Sequence, residues 1–224
     1  MGLKRRRQSS RSQTGCRWSY STDDTGALVT ESVLAKQIRS GTSIPVPRQL
    51  AQGTLETRVY VVVEHADGVD LHERFASFET NRQRTLAATF GQYLAEVHEL
   101  CSFDAFGTVV VNESSETGAL RVNGIDSWAA WFRVYSIAGV DTLPAAFDDF
   151  RERLRDVFVH AVIPNRPESC LYPWDFRPGN ALVRDGTLTA VLDWGDSLAA
   201  APGLSVAKAE HLVCGWYVES GEPL

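Results

Sequence analysis

Three oxygen-bearing side chains late in the chain have the types and spacing that phosphoryl transfer requires. The segment Leu171-Tyr172-Pro173-Trp174-Asp175-Phe176-Arg177-Pro178-Gly179-Asn180 places an aspartate and an asparagine in one loop. A short apolar strand then ends in Val191-Leu192-Asp193-Trp194-Gly195-Asp196. Mg²⁺ is a hard cation that takes one or two oxygen ligands from protein and the rest from phosphates and water. Asn180 and Asp193 meet that need, while Asp175 would orient an acceptor hydroxyl and take its proton. Taken singly, each has a plainer use. Asp175 and Asn180 could cap the turn at Pro178-Gly179, and Asp193 or Asp196 could start a turn or cap a helix.

The elements that must position these groups are legible around them. Asp185-Gly186 is a two-residue turn signal between Ala181-Leu182-Val183 and Leu188-Thr189-Ala190-Val191-Leu192, which predicts a hairpin. Such a hairpin sets Asn180 at the mouth of one strand and Asp193 at the end of its partner. Upstream, Val29, Val33, Leu34 and Ile38 recur at helical spacing before Gly41. Arg58-Val59-Tyr60-Val61-Val62-Val63-Glu64 reads as a buried strand. Asn81 to Leu100 carries an apolar helical stripe of Leu86, Phe90, Tyr93, Leu94 and Val97. Residues 107–126 predict a loop or short hairpin. Helical patterns cover about 127–138, 144–161 and 204–217.

Asp175 with Asn180, the hairpin, and Asp193-Trp194-Gly195 together resemble the aminoglycoside phosphotransferase family, a branch of the protein-kinase-like fold that includes choline, homoserine and fructosamine kinases. The resemblance runs from about Glu31 to Pro202 and is dense over 171–196. It implies an α+β fold of two lobes, a small β-containing N-lobe and a mainly helical C-lobe, with ATP and Mg²⁺ between them. It implies Asp175 as catalytic base, and Asn180 and Asp193 as metal ligands. It further implies Glu31 as the partner of a phosphate-binding cation, and the main chain of Glu64, His65 and Ala66 as the adenine-binding hinge. Arg177 and Asp196 fall just outside the reacting groups as supports.

The chain departs from the family at several places. Pro173-Trp174 stands where the family has His-Gly, and Ala201-Pro202 and Ser205 stand where it has Asp-Pro and a further Asp. The only lysines are Lys4, Lys36 and Lys208, so Arg17 is the nearest upstream cation for the phosphates, with a bulkier fork than lysine. No Gly-rich loop is seen among the first 20 residues, and the chain looks shortened at both ends relative to the family.

Composition bounds the partners. With 44% hydrophobic residues, 22% charged and a net charge of -6 over 224 residues, the chain suits a folded protein and not a nucleic-acid binder. The basic head (Lys4, Arg5, Arg6, Arg7, Arg11, Arg17) is expected to be disordered. No apolar run approaches a membrane span, and the four separated cysteines suit a reducing cytoplasm. His98, His160 and His211 read as core or surface residues, and Trp128 and Trp131 chiefly as packing. The expected division is a head at 1–19, a partial N-lobe and hinge at 20–66, and a C-lobe at 67–224. The expected activity is transfer of the γ-phosphoryl group of ATP to a hydroxyl of a small molecule (an aminoglycoside, choline or a sugar-like acceptor). A nucleotide- or partner-binding protein without turnover is the alternative. A hydrolase fits less well, for want of a G-x-S-x-G nucleophile.

Overall fold

The structure, a computed structural model, describes residues 8–11, 16–21, 25–56, 58–112, 114, 118–164 and 167–215, the first two stretches by backbone alone. The valine-rich stretch Arg58–Glu64 forms β4, one of the two inner strands of a four-stranded antiparallel sheet of order β1-β2-β4-β3. Its neighbours are β2 (Cys16–Ser21) and β3 (Gln49–Leu55), with β1 (Gln8–Arg11) beyond β2. The expectation of a disordered head over 1–19 therefore fails at Gln8–Arg11 and at 16–19. β4 offers an unpaired edge, and the Cys16–Ser21 backbone fills it with a ladder from Cys16↔Glu64 to Ser21↔Val59. The remainder of the head lies outside the described residues.

Helix α1 (Thr25–Gly41) buries Leu28, Leu34 and Ile38 on its inner face. Ser32 is buried on that face too, and its hydroxyl reaches Gln49 Oε1 (2.5 Å) and Gln52 Oε1 (2.9 Å) on β3. Beyond the helix, Ser43 donates its N–H and hydroxyl to Glu96 (2.6 and 2.7 Å). That contact fastens the α1 end to α3 (Thr80–Leu100), whose buried stripe is Leu86, Phe90, Leu94 and Val97.

After β4 the chain becomes mainly helical. Short β5 (Val69–Asp70) joins the hairpin β10 (Ala181–Arg184) and β11 (Thr187–Val191) in a three-stranded sheet. Asp70 caps α2 (Leu71–Phe75) by accepting from His72 N at 2.8 Å. A five-stranded sheet follows the order β6 (Ser102–Phe103), β9 (Ser169–Tyr172), β12 (Leu198–Ala200), β7 (Phe106–Val111), β8 (Leu120–Ile125). The 107–126 segment is thus a hairpin. Gly107 stands opposite Gly124, and a Cβ on Gly124 would come 1.9 Å from the Phe106 carbonyl oxygen. Helices α4 (Trp128–Asp141), α5 (Asp148–His160) and α6 (Pro202–Glu210) complete the C-terminal part. Expected helix beyond Gly215 lies outside the described residues.

One core spans both regions. Leu34, Ile38, Ile44 and Val46 from the N-terminal side pack with Phe90, Leu94, Leu171, Phe176, Val191 and Trp194. The Val191 N–H donates to the Pro45 carbonyl at 2.8 Å, a backbone tie between the two. The α+β, two-part architecture expected from the sequence is the one observed.

Candidate active site

The hairpin turns at Asp185 (φ 52°) and Gly186 (φ 74°), both left-handed, as a two-residue primed turn requires. Pairing runs from Arg184↔Thr187 to Ala181↔Val191. It continues one step further, because Leu192 N donates to Asn180 O at 2.8 Å. That step brings Asn180 beside Asp193. The backbone of Asp193 is itself left-handed (φ 62°), a conformation aspartate tolerates better than most residues. Trp194, buried, anchors the turn by donating from Nε1 to Val191 O (3.3 Å).

The Asp175 loop grows from β9, whose four residues are all buried. Phe176 pins it: its ring lies 5.0 Å from Phe90 and 6.0 Å from Trp194, centroid to centroid. A 3₁₀ turn over Pro178–Asn180 follows, closed by Asn180 N to Arg177 O at 3.0 Å. The Asn180 amide nitrogen donates to the Asp175 carbonyl (2.8 Å) and to Asp175 Oδ2 (3.1 Å). Arg177 grips the same carboxylate from Nε (3.1 Å) and Nη2 (3.2 Å). With its nitrogen turned to Asp175, Asn180 presents Oδ1 to the other side, where that oxygen makes no hydrogen bond among the described residues.

Asn180 and Asp193 line one cleft of about 540 Å³ between the N-terminal sheet, α1 and the hairpin. Its apolar walls include Leu28, Val61, Val63, Leu182 and Val191, and Glu31 of α1 lines it as well. Among the described residues no three His, Cys, Asp or Glu side chains cluster as a metal site. A cation at Asn180 and Asp193 would therefore complete its shell with phosphate oxygens and water, the pattern Mg²⁺ favours. One amide oxygen and one carboxylate fit that ion.

The other sequence candidates fall as follows. Arg17 stands on β2 with its Cα opposite Val63, a cleft-lining residue. Glu64 ends β4. Its N–H donates to Arg48 O (2.9 Å), and its carboxylate accepts from Arg48 N (2.9 Å) while facing Arg39 (3.8 Å) and Arg48 (3.5 Å). His65 Nδ1 lies 3.3 Å from Asp67 Oδ1, and Ala66 follows in the link to β5. Asp196 is exposed, again with left-handed backbone (φ 56°).

Sequence reading passed over Lys208. This α6 side chain donates to the Trp174 carbonyl, and its Nζ stands 3.3 Å from the centre of the Trp174 ring. Burial pulls its pKa down to about 8, with Asp175 opposing the shift and Arg177 adding to it. The scarcity of lysine was the one signal in the sequence; no spacing linked position 208 to position 174. Rings also gather beside this pair. Tyr172 lies 5.8 Å from Trp174, Tyr135 meets Trp174 edge-on at 6.0 Å, and Tyr135 stacks on Trp131 at 4.8 Å.

The sequence matches the phosphotransferase enzyme family over residues 32–214. No curated protein matches it. Among solved structures, the chain resembles a thermostable mutant of aminoglycoside phosphotransferase APH(4)-Ia in ternary complex with AMP-PNP and hygromycin B (15% identity, TM-score 0.60, 90% of this chain and 70% of that one). It also resembles the gentamicin complex of APH(2")-IIa (14%, 0.57, 88% and 64%). A third is apo macrolide 2'-phosphotransferase MphH from Brachybacterium faecium (17%, 0.51, 100% and 76%). At these identities the likeness concerns the fold.

Proposed function

The chain belongs to the phosphotransferase enzyme family, and on that premise we propose that it transfers the γ-phosphoryl group of ATP to a hydroxyl of a small molecule. The arrangement of Asn180 carries the reading. Its nitrogen is committed to Asp175, and Asn180 lines the same cleft as Asp193. One residue thus ties the base to the metal position. Mg²⁺, when bound by Asn180 and Asp193, supplies charge neutralisation on the β- and γ-phosphates. Arg177 and Asn180 hold the Asp175 carboxylate in place, and Asp175 orients the acceptor hydroxyl and accepts its proton as the bond to phosphorus forms. Adenine is assigned to the apolar walls at Val61, Val63, Leu182 and Val191, and the main chain of Glu64, His65 and Ala66, which follows Val63 in the chain, is assigned to its edge. Use of ATP is supported by the AMP-PNP present in the APH(4)-Ia complex.

A second reading, nucleotide binding without turnover, is favoured by one observation: β2 carries Arg17 and no lysine. Two variants and one assay separate the readings. Asp193→Ala is expected to abolish Mg·ATP binding in calorimetry. Asp175→Asn is expected to keep that binding and lose transfer across a panel of sugars, choline and amino alcohols. Equal ATP affinity in wild type and Asp193→Ala contradicts the metal role. Binding in wild type with no transfer to any acceptor establishes the second reading.

A further inference from the structure

The acceptor side of Asp175 carries a chemistry of its own. Trp174 is 37% exposed although it adjoins the proposed base. The edge of Tyr135 meets it at 6.0 Å, and beyond Tyr135 the rings of Trp131 and Trp128 stack in turn at 4.8 and 5.5 Å. The usual guest of an exposed tryptophan face is a cation, drawn by the ring quadrupole. Here the protein supplies that cation itself. Lys208 Nζ stands 3.3 Å from the Trp174 ring centre and 5.6 Å from that of Tyr172, held by its bond to the Trp174 carbonyl. A second positive group, the Arg177 guanidinium, lies on the Asp175 carboxylate. A substrate presenting its hydroxyl to Asp175 meets both.

Resting on the phosphotransfer reading above, we propose that this site takes an uncharged alcohol beside Trp174, and that Lys208 excludes quaternary amines and polycationic aminoglycosides by holding the cation seat on that ring. The charge is present when it is needed: with a pKa of about 8, Lys208 remains mostly an ammonium at neutral pH. Lys208 is in this sense a specificity-determining residue, set on α6 against a tryptophan in the loop that leads into Asp175.

The test is binding to protein saturated with Mg·AMP-PNP, with three probes: 4-nitrophenyl β-D-glucopyranoside, choline and hygromycin B, each titrated by calorimetry. Wild type is expected to bind the uncharged glucoside at least about tenfold more tightly than either cation. Lys208→Met is expected to gain about tenfold in choline affinity as the ring face is vacated, and Lys208→Arg to keep the wild-type order. Choline or hygromycin B binding to wild type as tightly as the glucoside overturns the proposal, as does binding of none of the three. Unchanged selectivity in a folded Lys208→Met protein overturns it as well. Failure of AMP-PNP itself to bind sinks the phosphotransfer reading instead, so the two outcomes are separable.

Discussion

Replacing Phe176 by alanine removes the ring that couples the Asp175 loop to the Asp193 turn. Phe176 is 5% exposed, and it touches Phe90 of α3 on one side and Trp194 on the other, at 5.0 and 6.0 Å. A buried Phe→Ala change costs about 3–5 kcal/mol in lost transfer energy and cavity formation. Each ring pair adds about 0.5–1.5 kcal/mol beyond area burial, part of which that range already contains. A loss of about 4 kcal/mol is therefore expected, a large share of a typical domain's stability. Urea unfolding followed by circular dichroism reads it directly. Phe176→Leu keeps most of the volume and is expected to lose only about 1.5 kcal/mol. At urea-free, fully folded conditions the alanine variant should also bind Mg·ATP more weakly, because Asn180 sits at the far end of the same loop. A stability loss under about 1 kcal/mol would refute the pinning role, since the ring would then have to be replaceable by solvent or by neighbours.

Gly124→Ala is expected to cost about 2 kcal/mol, because its Cβ would press to 1.9 Å from Phe106 O in the β7–β8 ladder. Gly91→Ala in α3, where a Cβ meets nothing within 4 Å, should instead stabilise by about 0.5–1 kcal/mol; thermal denaturation of both checks the contrast. Burial pushes the thiol pKa of Cys101 to about 11 and that of Cys170 to about 12, so at pH 8 a thiol reagent should spare both until the protein unfolds, as timed mass spectrometry would show. Lys208 provides a pH signature. Its folded pKa of about 8 lies below the 10.5 of a free lysine, so between those values the unfolded chain holds a proton that the folded chain has released. Stability should therefore rise with pH across that window by about 1–2 kcal/mol, after discounting for partial exposure. Subtracting the profile of Lys208→Met cancels the opposing cysteine and tyrosine titrations, and a flat difference curve would contradict the burial of this ammonium.

Where local chemistry decides an element, the chain alone was sufficient. The run of valines in Arg58–Glu64, the α3 stripe and the Asp185-Gly186 turn each carry their structural reason within a few residues and form the element read, although of the strand expected to be buried only Val61 is. The same holds for the spacing of Asp175 and Asn180, since a five-residue loop closed by a 3₁₀ turn can bring those two side chains into contact without help from elsewhere. Strands β3, β9 and β12 were not legible. Gln49–Leu55 is polar and Leu198–Ala200 is short, and both are strands because distant segments offer them backbone partners. The pairing of β2 with β4, which overturns the disordered reading at 16–19, has the same origin. Tertiary structure alone set Lys208 against Trp174, 34 positions away in sequence, and gathered Leu28, Val61 and Val63 into one cleft with Asn180 and Asp193. Periodicity and spacing report only on neighbours along the chain. Contacts between residues far apart are selected by packing and by the pairing of backbone groups, which no short stretch of sequence contains.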